Sequence, residues 1–130
     1  MTERELIQMA LGMREHSYAP YSGFRVGAAL ECADGSVYGG CNVENAAYGS
    51  SICAERTALV KAVSEGKRSF VRIAVAGDST DFCWPCGACR QMLREFGTGL
   101  QVLVANRDGA CEVHTLEELL PHSFGPETLN

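Results

Sequence analysis

Two short apolar runs, "FVRIAVAG" at 70–77 and "LQVLVAN" at 100–106, constrain the fold more than any other feature of this chain. Both are rich in β-branched residues and too short for a buried helix, so each reads as a buried strand. Between them, "PCGACRQMLREFG" reads as a helix with Pro85 at its opening and Gly97 at its close. Upstream, "FRVGAALEC" places Phe24, Val26, Ala28, Leu30 and Cys32 on one face of a strand, a signal weakened by the small residues. Asp34-Gly35 forms a hairpin turn, and "VYGGCNVEN" is the return strand. Thr2 and Glu5 form a capping box for a first helix carrying Leu6, Met9, Ala10 and Met13, which stops before Pro20 and Gly23. "CAERTALVKAVSEG" has Ala58, Leu59, Ala62 and Val63 on one stripe, with Gly66 as its stop. A short final helix follows the second capping box, Thr115 with Glu118, and "CEVHT" before it is the weakest strand. Helices alternating with strands imply a sheet covered on both faces, and the hairpin makes that sheet mixed. The expectation is an α/β protein, a three-layer α/β/α sandwich with a mixed five-stranded sheet, in one domain spanning 1–130.

Composition narrows the function. The net charge is −5 and no Lys/Arg run occurs, so a long nucleic acid is a poor partner and a small uncharged ligand a better one. No apolar stretch reaches membrane-spanning length, and "MTERELIQMALGMREH" lacks the apolar core of a signal peptide. Seven cysteines is an odd set, which argues against a disulfide framework and for a reduced, cytoplasmic setting. Cys32, Cys41 and Cys111 read as small buried hydrophobes.

The remaining cysteines carry the chemistry. "CWPCGACR" holds two overlapping C-x-x-C pairs, Cys83 with Cys86 and Cys86 with Cys89. The first pair resembles a redox tetrapeptide with Cys83 as nucleophile, but "AGDSTDF" sets a loop between the strand and the motif. The second pair suits a metal. With Pro85 starting a helix, Cys86 and Cys89 lie at i and i+3 on its first turn, where the helix dipole favours thiolates. Two ligands do not hold zinc. Cys53, opening another predicted helix, supplies the third, and three protein ligands leave a tetrahedral ion one open position. Cys83 could close that position, although Pro85 stiffens the chain between it and Cys86.

Glu55 sits two residues after Cys53, where a carboxylate could exchange protons with a zinc-bound water without being a ligand. A first-turn glutamate also has a plain capping role. Arg56 could donate to the thiolates, which outweigh a divalent cation in charge, or could simply be solvated.

"CAE" followed by "PCGAC" is similar to the zinc deaminase signature in its all-cysteine variant. With "APYSGFRVGAAL", "GCNVENAAYGSSICAERTAL", "WPCGACRQ", "REFG" and "ELLPHSFGP", the chain resembles the small cytidine deaminases of nucleoside salvage over nearly its whole length. The resemblance implies hydrolysis of cytidine and deoxycytidine to uridine and deoxyuridine, with one zinc per subunit on Cys53, Cys86 and Cys89 and Glu55 as proton shuttle. It implies ribose contacts from Asn42 and Glu44, a base pocket lined by Phe24, and an Ala54 amide at the base carbonyl. It further implies a homotetramer with sites at subunit interfaces, where Phe124 stacks on the base from a neighbour and Tyr48 makes another cross-subunit contact. Cys83-Trp84 departs from many relatives.

Three alternatives stand beside this reading. One is a deaminase of the same fold acting on another cytosine nucleoside such as blasticidin S. Another is a thiol–disulfide exchanger using Cys83 and Cys86. The third is a zinc-stabilised binding module without turnover.

Overall fold

The computed structural model describes residues 1–129. The chain runs α1 (Glu3–Met13), β1 (Val26–Cys32), β2 (Val37–Cys41), α2 (Ala54–Ser64), β3 (Phe70–Gly77), α3 (Gly87–Arg94), β4 (Gln101–Ala105), β5 (Cys111–Thr115), α4 (Leu116–Leu119) and α5 (Pro126–Leu129). The strands form one sheet in the order β2-β1-β3-β4-β5. Among the strands of the described residues only β3 and β4 pair in parallel, with α3 as their crossover, and the other strand pairs are antiparallel. The mixed five-stranded α/β sandwich expected from the sequence is therefore present.

Strand alternation divides the core into two layers. Ala28, Leu30, Ile73, Val75, Val102 and Val104 point to one face and pack with Ala54, Ala58, Leu59 and Ala62 of α2 and Leu93 of α3. The neighbouring positions Ala29, Ala74, Ala76, Leu103 and Ala105 face the other way, onto Leu6, Ile7 and Ala10 of α1. Burial on both faces explains why the strands read as continuous apolar runs.

The small residues of β1 and β2 have a packing cause. A Cβ on Gly27 would lie 1.8 Å from the Ala10 carbonyl oxygen, so α1 presses its backbone onto β1. A Cβ on Gly40 would lie 2.5 Å from both Ala54 O and Ala58 N. The first turns of α2 thus rest directly on β2, and this contact sets the height of the helix above the sheet.

Both capping boxes form, on α1 and α4. Several sequence expectations change. α3 begins at Gly87, with Cys86 as its N-cap and Pro85 outside the helix, rather than at Pro85. The return strand stops at Cys41, and Val43 makes isolated bridges to Tyr18 and Ile52. Cys32 and Cys41 are buried, but Cys111 is only half-buried because β5 is an edge strand. Among the described residues no helix is long and apolar enough to cross a membrane.

Candidate functional site

Two helix N-termini meet on the same side of the sheet. Cys53 is the N-cap of α2 and Cys86 the N-cap of α3, yet neither side chain caps its own helix. Ser, Thr, Asp or Asn would ordinarily occupy such positions. Here the sulfurs turn to one another instead. The Cys53 and Cys86 Sγ atoms are 3.6 Å apart, those of Cys86 and Cys89 3.4 Å apart, and all three lie within 4.8 Å of one another.

These separations fit a metal. Zinc–sulfur bonds of about 2.3 Å in a tetrahedron space the sulfurs by roughly 3.8 Å. The donor chemistry agrees. A hydrogen bond from Cys89, and then the Arg56 guanidinium, pull the Cys53 thiol down to about 5, against the opposing effect of burial. The same bond to Cys53, with burial, pushes Cys89 upward. Three sulfurs this close share protons unless a cation sits between them. Zinc is bound by Cys53, Cys86 and Cys89.

Cys83 stands apart from the trio. Its backbone N–H donates to Ala105 O at 3.1 Å, tying the loop to the end of β4. Burial, followed by the negative charge of Glu55, pushes its thiol up to about 12. A thiol so strongly held protonated is a poor redox nucleophile, which counts against the exchange reading.

Glu55 is 4% exposed at the first turn of α2 and lines a cavity of about 500 Å³ shared with Cys53, Cys86 and Arg56. Burial raises its pKa, and the Cys53 charge adds to the effect. Arg56 Nη2 donates to Cys53 Sγ and to Ser51 O, each at 3.5 Å, while its Nε is buried without a partner. The guanidinium thus faces the sulfur cluster rather than solvent.

The other residues singled out from sequence divide into two groups. Phe24, Asn42, Glu44, Tyr48 and Ala54 all line the cavity, whereas Phe124 does not and is 55% exposed. Asn42 already braces the chain, accepting from Val26 N–H at 2.9 Å and donating to Phe24 O at 2.8 Å. One amide hydrogen and one lone pair remain for a ligand. Glu44 accepts from the backbone N–H groups of Tyr21 and Ser22 at 3.0 and 3.1 Å, and from the Ser22 hydroxyl. These bonds, the Ser22 hydroxyl foremost, hold its carboxyl below the usual range. Tyr48 is exposed at the rim, edge-on to Tyr21 with ring centroids 5.7 Å apart. Sequence reasoning missed Trp84 as a wall of the cavity, although its place between Cys83 and Pro85 was signal enough.

Comparison with known proteins agrees with this geometry. Residues 1–105 match the family described as cytidine and deoxycytidylate deaminase zinc-binding region. A cytidine deaminase of Sporosarcina psychrophila is 48% identical, over 100% of this chain and 96% of that protein. One of Halalkalibacterium halodurans is 49% identical, over 100% of this chain and 99% of its own. The crystal structure of cytidine deaminase from Burkholderia pseudomallei, 50% identical, superposes with a TM-score of 0.92 over 95% of this chain and 100% of that one. With a three-cysteine zinc site at two helix N-termini and full-length likeness to these proteins, the chain belongs to the cytidine and deoxycytidylate deaminase family.

Proposed function

We propose that this protein hydrolyses cytidine and 2′-deoxycytidine to uridine and 2′-deoxyuridine with release of ammonia, a step of pyrimidine salvage. The observation that carries the reading is the buried Glu55, lining one cavity with Cys53 and Cys86 of the three-sulfur cluster. Zinc bound there supplies Lewis acidity, which brings the pKa of a water to about 7.

The chain's own residues do the rest. Glu55, its pKa raised by burial, takes a proton from the attacking water and passes it to ring N3. Once oxygen has bonded to C4, the same carboxylate takes the second proton from that hydroxyl and delivers it to the amino nitrogen; the C4 carbonyl forms as the C4–N bond breaks, and ammonia departs. The Ala54 N–H, at the positive end of α2, suits the base carbonyl. The spare donor and acceptor of Asn42 and the carboxylate of Glu44 suit ribose hydroxyls, and Phe24 offers an aromatic wall. Arg56 offsets the negative charge of the thiolates and so keeps the metal electrophilic.

The reading extends to the whole of 1–130 as one deaminase domain with one zinc per subunit. It places the protein in the cytoplasm, where a three-thiolate site stays reduced. It takes the enzyme as a homotetramer with sites at subunit interfaces. Two observations support this: Tyr48, 74% exposed at the cavity rim, and Phe124, exposed on the tail but absent from its own chain's cavity.

Ammonia release from cytidine tests the proposal. Glu55→Gln keeps its zinc and loses turnover by about 10²- to 10⁴-fold. Undiminished turnover in that variant would remove Glu55 from the mechanism.

A further inference from the structure

The helix that presents Cys86 and Cys89 also holds the C-terminal segment. Arg90 Nη1 donates to Leu119 O at 2.7 Å, and Gln91 Nε2 donates to Phe124 O at 2.9 Å. Arg94 Nε donates to Ser123 Oγ at 2.6 Å, and its Nη2 donates to Glu127. Arg94 is 7% exposed, and a Cβ on Gly125 would lie 2.5 Å from its guanidinium carbon. The glycine therefore lies directly against the guanidinium, and the bonds to either side bracket Phe124. Residues 90 and 94 are four apart on α3 and residues 91 and 94 three apart, so one face of the helix makes all these contacts.

Burying a guanidinium is costly unless its donors are matched. Here the matching partners all belong to the tail.

We propose that Arg94, with Gln91, is a positioning residue for substrate binding. It fixes the segment around Phe124 so that the helix carrying two metal ligands also sets where that aromatic ring lies. The inference rests on the reading of Phe124 as the residue that stacks on the base. Arg94 touches no reacting atom; it acts through the tail.

Steady-state deamination of cytidine by the intact, zinc-loaded enzyme tests it, with Arg94→Gln, Gln91→Ala and Phe124→Ala made singly and in pairs. Phe124→Ala is expected to raise KM about tenfold, the worth of one base–aromatic stack. Arg94→Gln is expected to raise KM by a similar factor with kcat and zinc content retained, as for an interaction made equally in ground and transition states. Gln91→Ala, at an exposed residue where only the bond to Phe124 O is lost, gives a smaller rise. In the Phe124→Ala background neither substitution adds to KM, because the ring they position is gone.

Effects that multiply in that background would overturn the proposal and leave Arg94 a stabiliser of α3. Unchanged KM in the Arg94 and Gln91 variants, beside a raised KM in Phe124→Ala, would overturn it while the stacking role stood. Unchanged KM in Phe124→Ala would overturn both. Should Arg94→Gln fail to fold, the Gln91→Ala pair decides.

Discussion

Glu55 and Arg56 are adjacent in sequence, yet the helix turns their side chains about 100° apart, so one enters the cavity wall and the other flanks the sulfurs. Their ionisable groups are tuned by burial and by thiolates. Elsewhere the same physics serves stability. Glu31 and Arg72 stand opposite each other on β1 and β3, joined by bonds of 2.7 and 3.2 Å. The Arg72 hydrogen bonds outweigh burial and lower the Glu31 pKa from its ordinary 4.5. A carboxyl depressed in the folded state contributes stability above its unfolded pKa and loses it as pH falls through the folded value. The protein should therefore lose more stability than Glu31→Gln between about pH 5 and pH 3, as read by denaturant unfolding across that range. Parallel acid profiles for the two would show that the pair contributes nothing through this ionisation.

At the scale of elements, the glycines of β1 and β2 matter most. Gly40→Ala forces α2 off the sheet, since the added carbon meets the helix backbone at Ala54 O and Ala58 N. The expected cost is about 1–3 kcal/mol in unfolding free energy, with a drop in kcat because Ala54 and Glu55 ride on the displaced turn. Stability and kcat equal to those of the unmodified protein would mean that α2 is not seated by that contact. The same glycines explain what could be read in the sequence and what could not. Thr2 with Glu5 and Thr115 with Glu118 were legible because a capping box is a local arrangement. "FRVGAALEC" was a weak strand signal because its small residues answer to α1 and α2, which lie elsewhere in the chain. "CEVHT" was weak because β5 is an edge strand with little of it buried. The helix boundary at Pro85 was misplaced by two residues because Cys86 occupies the N-cap without capping.

For the whole molecule, the sheet is a platform that brings the openings of α2 and α3 together, and function is concentrated where they meet. The trio Cys53, Cys86 and Cys89 was legible from two separated motifs, because a metal needs ligands from both. The exclusion of Cys83 was legible in the stiffness of Pro85, whereas the tie of its loop to Ala105, which holds it apart, was not. Nor was the bracing of the tail by Arg94, a contact between residues 29 apart in the chain. The central claim is that three sulfurs hold one zinc ion and leave it an open position beside Glu55. X-ray absorption at the zinc edge, on protein of measured metal content, tests this most directly. The account predicts one zinc per chain with three sulfur neighbours at about 2.3 Å and one oxygen neighbour at about 2.0 Å. Four sulfur neighbours, with Cys83 closing the site, or fewer than three, would contradict it.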